Sequence, residues 1–182
     1  INKKWIDIYH KVCKREKLAK QKIIHDDCIK AMKKMKKKEE FDFVVSDPPY
    51  GIALDKTMCD GVYDIQHRKT DFNGFSNDKL DLRNLSSFEE YYDAMEEVGK
   101  GVIDIIKPNG YFVLIMRDSY QDGKYVPASY EVAKRMESVG FVLKGFKIWY
   151  ATGSRMRPYG YPYVFVPNIA HQNIVVLRNE QT

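Results

Sequence analysis

Apolar positions recur along this 182-residue chain with two spacings, and the changes between them mark out its elements. Trp5, Ile8, Tyr9 and Val12 fall at helical spacing, so residues 1–20 are predicted as a basic helix or arm. Lys22–His25 is a short apolar run that suits a strand. Asp26 or Asp27 can cap a helix reaching about Lys38, with Ile29, Met32 and Met35 on one side. Phe41–Val45 is a strand leading into Ser46-Asp47-Pro48-Pro49-Tyr50-Gly51, and residues 52–85 read as a long loop. Ser86 and Ser87 each precede a glutamate by three residues, the spacing of a capping box. The helix they start carries Phe88, Tyr92, Met95, Val98 and Val102, and Pro108-Asn109-Gly110 is predicted to stop it. Tyr111–Met116 is continuous enough for a strand buried on both faces. Pro127 to Gly140 brackets another helix, Phe141–Trp149 is a strand, residues 150–170 a second loop, and Asn173–Leu177 a last strand.

Alternating strands and helices imply an α/β fold with a mostly parallel sheet. The last two strands, joined without a helix, are expected to pair antiparallel at its edge. Two parts are expected: a basic arm or helix over 1–21 and the main domain over 22–182. The 44% apolar fraction is enough for one globular core. No apolar run is long enough to span a membrane, and no apolar leader follows Ile1. Cys13, Cys28 and Cys59 are odd in number and form no CxxC pair, which argues against a disulfide framework and a zinc site. A cytoplasmic or nucleoid-associated setting is expected. His10, His25, His67 and His171 stand singly and suit ordinary structural or surface roles.

Charge is uneven. Residues 1–38 hold 14 Lys or Arg and four acids, although the whole chain is only +5. A basic arm on an acidic body suits a polyanion; a solvated lysine-rich surface is an equally good account. In the second loop, Arg155, Arg157, Tyr159, Tyr161 and Tyr163 mix cations with aromatic rings, a combination suited to phosphate contact and base stacking. Tyrosines packing on the domain's own surface explain it equally well.

The segment with the most specific chemistry is Asp47-Pro48-Pro49-Tyr50, directly after a strand. Ligands of open α/β sheets bind at the carboxyl ends of strands. An exocyclic base amine is a poor nucleophile because its lone pair is delocalised into the ring. A carboxylate taking one N–H and a backbone carbonyl taking the other would aim that lone pair at a methyl donor. Asp47 offers the carboxylate and Pro48 the carbonyl; the two prolines stiffen the turn. Tyr50 offers a face for an extruded base. The plain alternative, a rigid turn with an Asp cap, is weakened by the placement after Phe43-Val44-Val45.

These residues resemble the adenine-N6/cytosine-N4 DNA amino-methyltransferases, in particular the permuted group whose catalytic half precedes the main cofactor half. The likeness begins at Ile23-Ile24-His25-Asp26-Asp27-Cys28 and runs through Phe43 to Ile52. It continues in Ile106-Lys107-Pro108-Asn109-Gly110-Tyr111, Arg117-Asp118, Tyr125-Val126-Pro127 and Gly140 to Trp149. It ends with Pro167 and His171 to Val176, where Gln172 stands in place of the usual Glu. The resemblance implies a Rossmann-like methyltransferase fold, S-adenosylmethionine as cofactor and DNA as partner. It implies a donor-binding role for Asp27 and Asp47, and a catalytic loop of Asp47, Pro48, Pro49 and Tyr50. Asp at the first loop position resembles the adenine-N6 enzymes more than the cytosine-N4 enzymes.

One family feature is not found: a glycine-rich turn after a strand. Gly99-Lys100-Gly101 has the spacing but lies in a helical pattern. Without the strands that accompany that turn, the sheet would keep exposed edges. A portion of a longer protein is the preferred explanation. The others are a second chain or copy completing the fold, a different pairing of the Lys22–His25 strand, and a relative that no longer binds the donor. An RNA amino-methyltransferase and a non-catalytic nucleic-acid-binding subunit are the alternative functions.

Overall fold

In the computed structural model, the described residues are 3–16, 22–35, 41–49, 81–121, 124–150 and 169–181. Helices α1 (Lys3–Arg15) and α2 (Cys28–Lys34) precede strand β1 (Phe41–Ser46). A 3-10 turn at Leu82–Asn84 leads into α3 (Phe88–Ile103), which is followed by β2 (Ile106–Met116). A small hairpin of β3 (Ser119–Gln121) and β4 (Lys124–Val126) then feeds α4 (Ala128–Val139), β5 (Phe141–Tyr150) and β6 (His171–Asn179).

The main sheet has the order β1-β2-β6-β5. β1 and β2 run parallel, while β6 is antiparallel to both of its neighbours. The expected antiparallel pairing of the last two strands is present, with β6 inside the sheet and β5 at its edge. The expected mostly parallel sheet is corrected, since only one of the three described pairings is parallel. The physical reason is that β6 is inserted between β2 and β5 in the opposite sense to both, and antiparallel neighbours need no crossover helix.

Two further expectations change. Lys22–His25 forms no strand, because among the described residues its short apolar run has no strand beside it to complete a ladder. Pro108-Asn109-Gly110 does not end α3; the helix stops at Ile103, and the three residues lie inside β2. There Asn109 adopts a φ of 65° and the β1–β2 register slips between Phe41 and Phe43, so the turn residues make an irregularity in a strand.

The helix ends follow the sequence closely. Ser87 accepts the Glu90 amide, and the Glu90 carboxylate accepts the Ser86 amide and hydroxyl, a shifted form of the capping box. Asp27 caps α2 by accepting the Lys30 amide. Gly140 ends α4 in the left-handed region at φ 116°.

The core lies on one face of the sheet. Phe112, Leu114 and Met116 of β2, with Val175 and Leu177 of β6, meet Tyr91, Tyr92, Met95 and Val102 of α3 and Val132, Ala133 and Met136 of α4. α3 and α4 approach closely at Gly99, where a Cβ would sit 2.6 Å from the Met136 sulfur. Arg135 of α4 clamps the outer side of this pair through Glu89 at 2.8 Å and Asp93 at 2.6 Å. The other sheet face is less covered, above all on β1, where Phe43 and Val45 each remain 55% exposed. β2 was expected to be buried on both faces; its alternate residues Tyr111, Val113 and Ile115 are only partly covered. Among the described residues, no helix is long and apolar enough to cross a membrane.

Gly140→Ala is expected to cost about 1 kcal/mol or more, because the new side chain cannot relax at this φ. Urea unfolding of wild type and variant measures it.

Candidate active site

β1 delivers the chain to the carboxyl end of the parallel pair. Ser46 lies opposite Leu114, so Asp47-Pro48-Pro49 emerges beside the last residues of β2. Asp47 is exposed, Pro48 is buried and Pro49 is half-buried. Among the described residues, no hydrogen bond or ion pair occupies the Asp47 carboxylate.

Neither proline has an N–H, so this stretch offers carbonyl acceptors without the donors that would normally accompany them. One acceptor is already committed. The buried hydroxyl of Tyr91, on α3, donates to the Pro49 carbonyl at 2.6 Å. The Pro48 carbonyl and the Asp47 carboxylate are left without a described donor. Such a loop can receive a group that brings two N–H bonds, or lie beside a cation.

Next to it, the end of β2 is held by a buried polar cluster. Asp118 accepts the Ser129 amide at 2.9 Å and hydroxyl at 2.6 Å, the Tyr125 hydroxyl at 2.6 Å and the Asn173 amide at 3.0 Å. The Asn173 amide also donates to the Ser129 hydroxyl at 2.8 Å. One carboxylate thereby ties together the end of β2, the hairpin, the first turn of α4 and β6. Four donors from neutral groups satisfy it. Arg117, one residue earlier, donates to the Ile169 carbonyl, just ahead of β6. Sequence reading noticed Arg117-Asp118 only as part of a resemblance. A lone Asp just before a short strand gives no local signal of a four-way cluster.

Asp27 is placed at the start of α2, where its carboxylate serves as the helix cap. Its neighbour Asp26 is paired with Lys34 at 2.6 Å, and the lysine holds the Asp26 carboxyl below the usual range. Tyr50 and the group Arg155, Arg157, Tyr159, Tyr161 and Tyr163 lie outside the described residues. Gly99 and Gly101 are helical, as the sequence suggested, and serve packing: a Cβ at Gly101 would stand 2.5 Å from the Met32 terminal methyl. Among the described residues, no group of three metal-binding side chains is present.

The described residues thus form an α/β sheet with a proline-stiffened acceptor loop at the end of its parallel pair. The family model for DNA methylases of the N6/N4 type matches residues 41–180, and the chain belongs to that family. Solved structures agree on the fold. A candidate DNA modification methylase from Thermus thermophilus, complexed with S-adenosyl-L-methionine, superposes with a TM-score of 0.56 at 17% identity. The match covers 86% of this chain and 54% of that one. The PvuII DNA methyltransferase, cytosine-N4-specific, gives a TM-score of 0.57 at 19% identity, covering 85% of this chain and 47% of that one. The chain thus spans about half the length of these two structures. Comparison with curated protein sequences gave no match.

The two aspartates are expected to behave oppositely. Asp118→Ala strands buried donors and uncaps α4, at a cost of about 3 kcal/mol. Asp47→Ala is expected to change stability by less than about 0.5 kcal/mol. Denaturant titration of both variants makes the comparison.

Proposed function

We propose that this chain provides the catalytic part of an S-adenosylmethionine-dependent DNA methyltransferase acting on an exocyclic base amine, with adenine N6 preferred. The observation that carries the reading is the uncommitted Asp47 carboxylate on a donor-poor loop at the end of β1. An amine held by Asp47 and the Pro48 carbonyl would have both N–H bonds taken, leaving its lone pair directed away from the ring plane. As the nitrogen bonds to the methyl carbon, the carbon–sulfur bond breaks with its electron pair passing to sulfur; the nitrogen becomes positive, the nearby carboxylate stabilises that charge, and the methylated amine then loses a proton to solvent. No covalent intermediate on the protein is needed; positioning supplies the rate.

S-adenosylmethionine, when bound, supplies a methyl group on a sulfonium. A loop of acceptors with a carboxylate suits such a cation, so Asp47 fits beside the donor as well as the amine. Asp27 is the further donor-binding candidate, from family resemblance, although its carboxylate already caps α2. Tyr50 would support the extruded base, and Arg155, Arg157, Tyr159 and Tyr161 would meet the DNA. The preference for adenine rests on Asp at the first loop position. Cytosine N4 is the second reading, favoured by the fold shared with a cytosine-N4-specific enzyme.

Transfer of labelled methyl from S-adenosylmethionine to duplex DNA tests the proposal. Asp47→Ala is expected to lower the rate by about a hundredfold or more while far-UV circular dichroism stays unchanged. Wild-type turnover in that variant would remove the catalytic assignment.

A further inference from the structure

Tyr91 is fully buried, yet its one polar atom reaches the loop rather than a partner inside its own helix layer. Its ring is fixed edge-on against Phe88, with centroids 6.5 Å apart, and against Tyr92 at 5.8 Å. The hydroxyl therefore has little freedom to go elsewhere. Burial pushes the phenol well above its usual pKa, which favours the protonated, donating form.

The acceptor matters as much as the donor. Two consecutive prolines deprive the loop of the N–H groups with which a strand end normally ties itself to its surroundings. An anchor has to come from outside the loop, and among the described residues Tyr91 is the one that supplies it. The bond links positions 42 residues apart, so it is a tertiary contact and not a local turn. It holds the Pro49 carbonyl toward α3. The direction of the Pro49 carbonyl is thereby fixed, while no described donor occupies the Asp47 carboxylate or the Pro48 carbonyl.

We propose that Tyr91 is a positioning residue for methyl transfer, orienting the Asp47–Pro49 loop through the Pro49 carbonyl. This rests on the reading of that loop as catalytic. Tyr91 touches no reacting atom; removing its hydroxyl lets the loop sample other arrangements and lowers the fraction in which carboxylate and carbonyl converge. Misplacement by about 1 Å can cost on the order of a hundredfold in rate.

Tyr92 provides the matched control. It too is buried on α3, and burial together with the nearby Glu131, Glu89 and Asp118 charges pushes its phenol up to about 12. Its hydroxyl is not bonded to the loop. Tyr91→Phe, Tyr92→Phe and Asp47→Ala are compared in the full chain by single-turnover transfer to DNA and by calorimetric S-adenosylmethionine affinity. The Pro49 carbonyl ¹³C shift, read through the following amide, reports the hydrogen bond itself. Expected are a transfer rate at least about tenfold lower in Tyr91→Phe, an upfield move of the Pro49 carbonyl, a donor affinity that falls by much less than the rate, and a wild-type rate in Tyr92→Phe. A wild-type rate in Tyr91→Phe with Asp47→Ala inactive overturns the positioning role and leaves the catalytic loop standing. Full activity in Asp47→Ala, or equal losses in the two phenylalanine variants, overturns it as well, the former together with the catalytic reading.

Discussion

The parallel pairing of β1 with β2 is the constraint from which the rest of the molecule follows. Parallel neighbours cannot be joined by a tight turn, so the chain must leave β1, cross the sheet and return. α3 lies on that crossover, and its buried face supplies both the centre of the core and the hydroxyl that holds Pro49. With Val45 beside Val113 and Ser46 beside Leu114, the exits of both strands lie at one end of the sheet. The Asp47 loop and the Asp118 cluster are neighbours for that reason, although they are far apart along the chain.

The two aspartates divide the work at this end. Asp118 is buried and accepts four hydrogen bonds; its role is exhausted by holding strand, hairpin and helix together. Asp47 is exposed and has no described partner, so the structure commits it to nothing. A carboxylate left uncommitted beside a rigid, donor-poor backbone suits a transient ligand better than a structural bond. The rigidity comes from two sources, the proline rings within the loop and the Tyr91 hydroxyl beneath it.

Local chemistry was legible in the sequence where it depends on few residues. The serine–glutamate spacing before α3, the glycine closing α4 and the proline opening it all act within one helical turn, and the structure places them as read. Pairing was less legible. Lys22–His25 has the composition of a strand, but a strand exists only with a partner. Pro108-Asn109-Gly110 carries turn residues, yet the ladder to β1 continues on both sides of them. Tyr91 lies beside the helical stripe of Phe88, Tyr92 and Met95, so its role is not marked by the apolar spacing. The spacing of three from Phe88 could have included it in the core, but nothing in the sequence pairs it with Pro49, 42 positions earlier. The acceptor loop itself was readable, since two prolines after an aspartate fix its chemistry wherever the chain places it.

In the proposed function, Asp47 and the Pro48 carbonyl hold a nitrogen bearing two hydrogens. Mass analysis of nucleosides digested from DNA treated with this protein and methyl-labelled S-adenosylmethionine addresses this directly, because the position of the label names the atom that was held. Label on an exocyclic amino nitrogen, N6 of deoxyadenosine foremost, is the expected result. Label on a ring carbon or ring nitrogen would contradict it, since neither presents two N–H bonds to a carboxylate and a carbonyl.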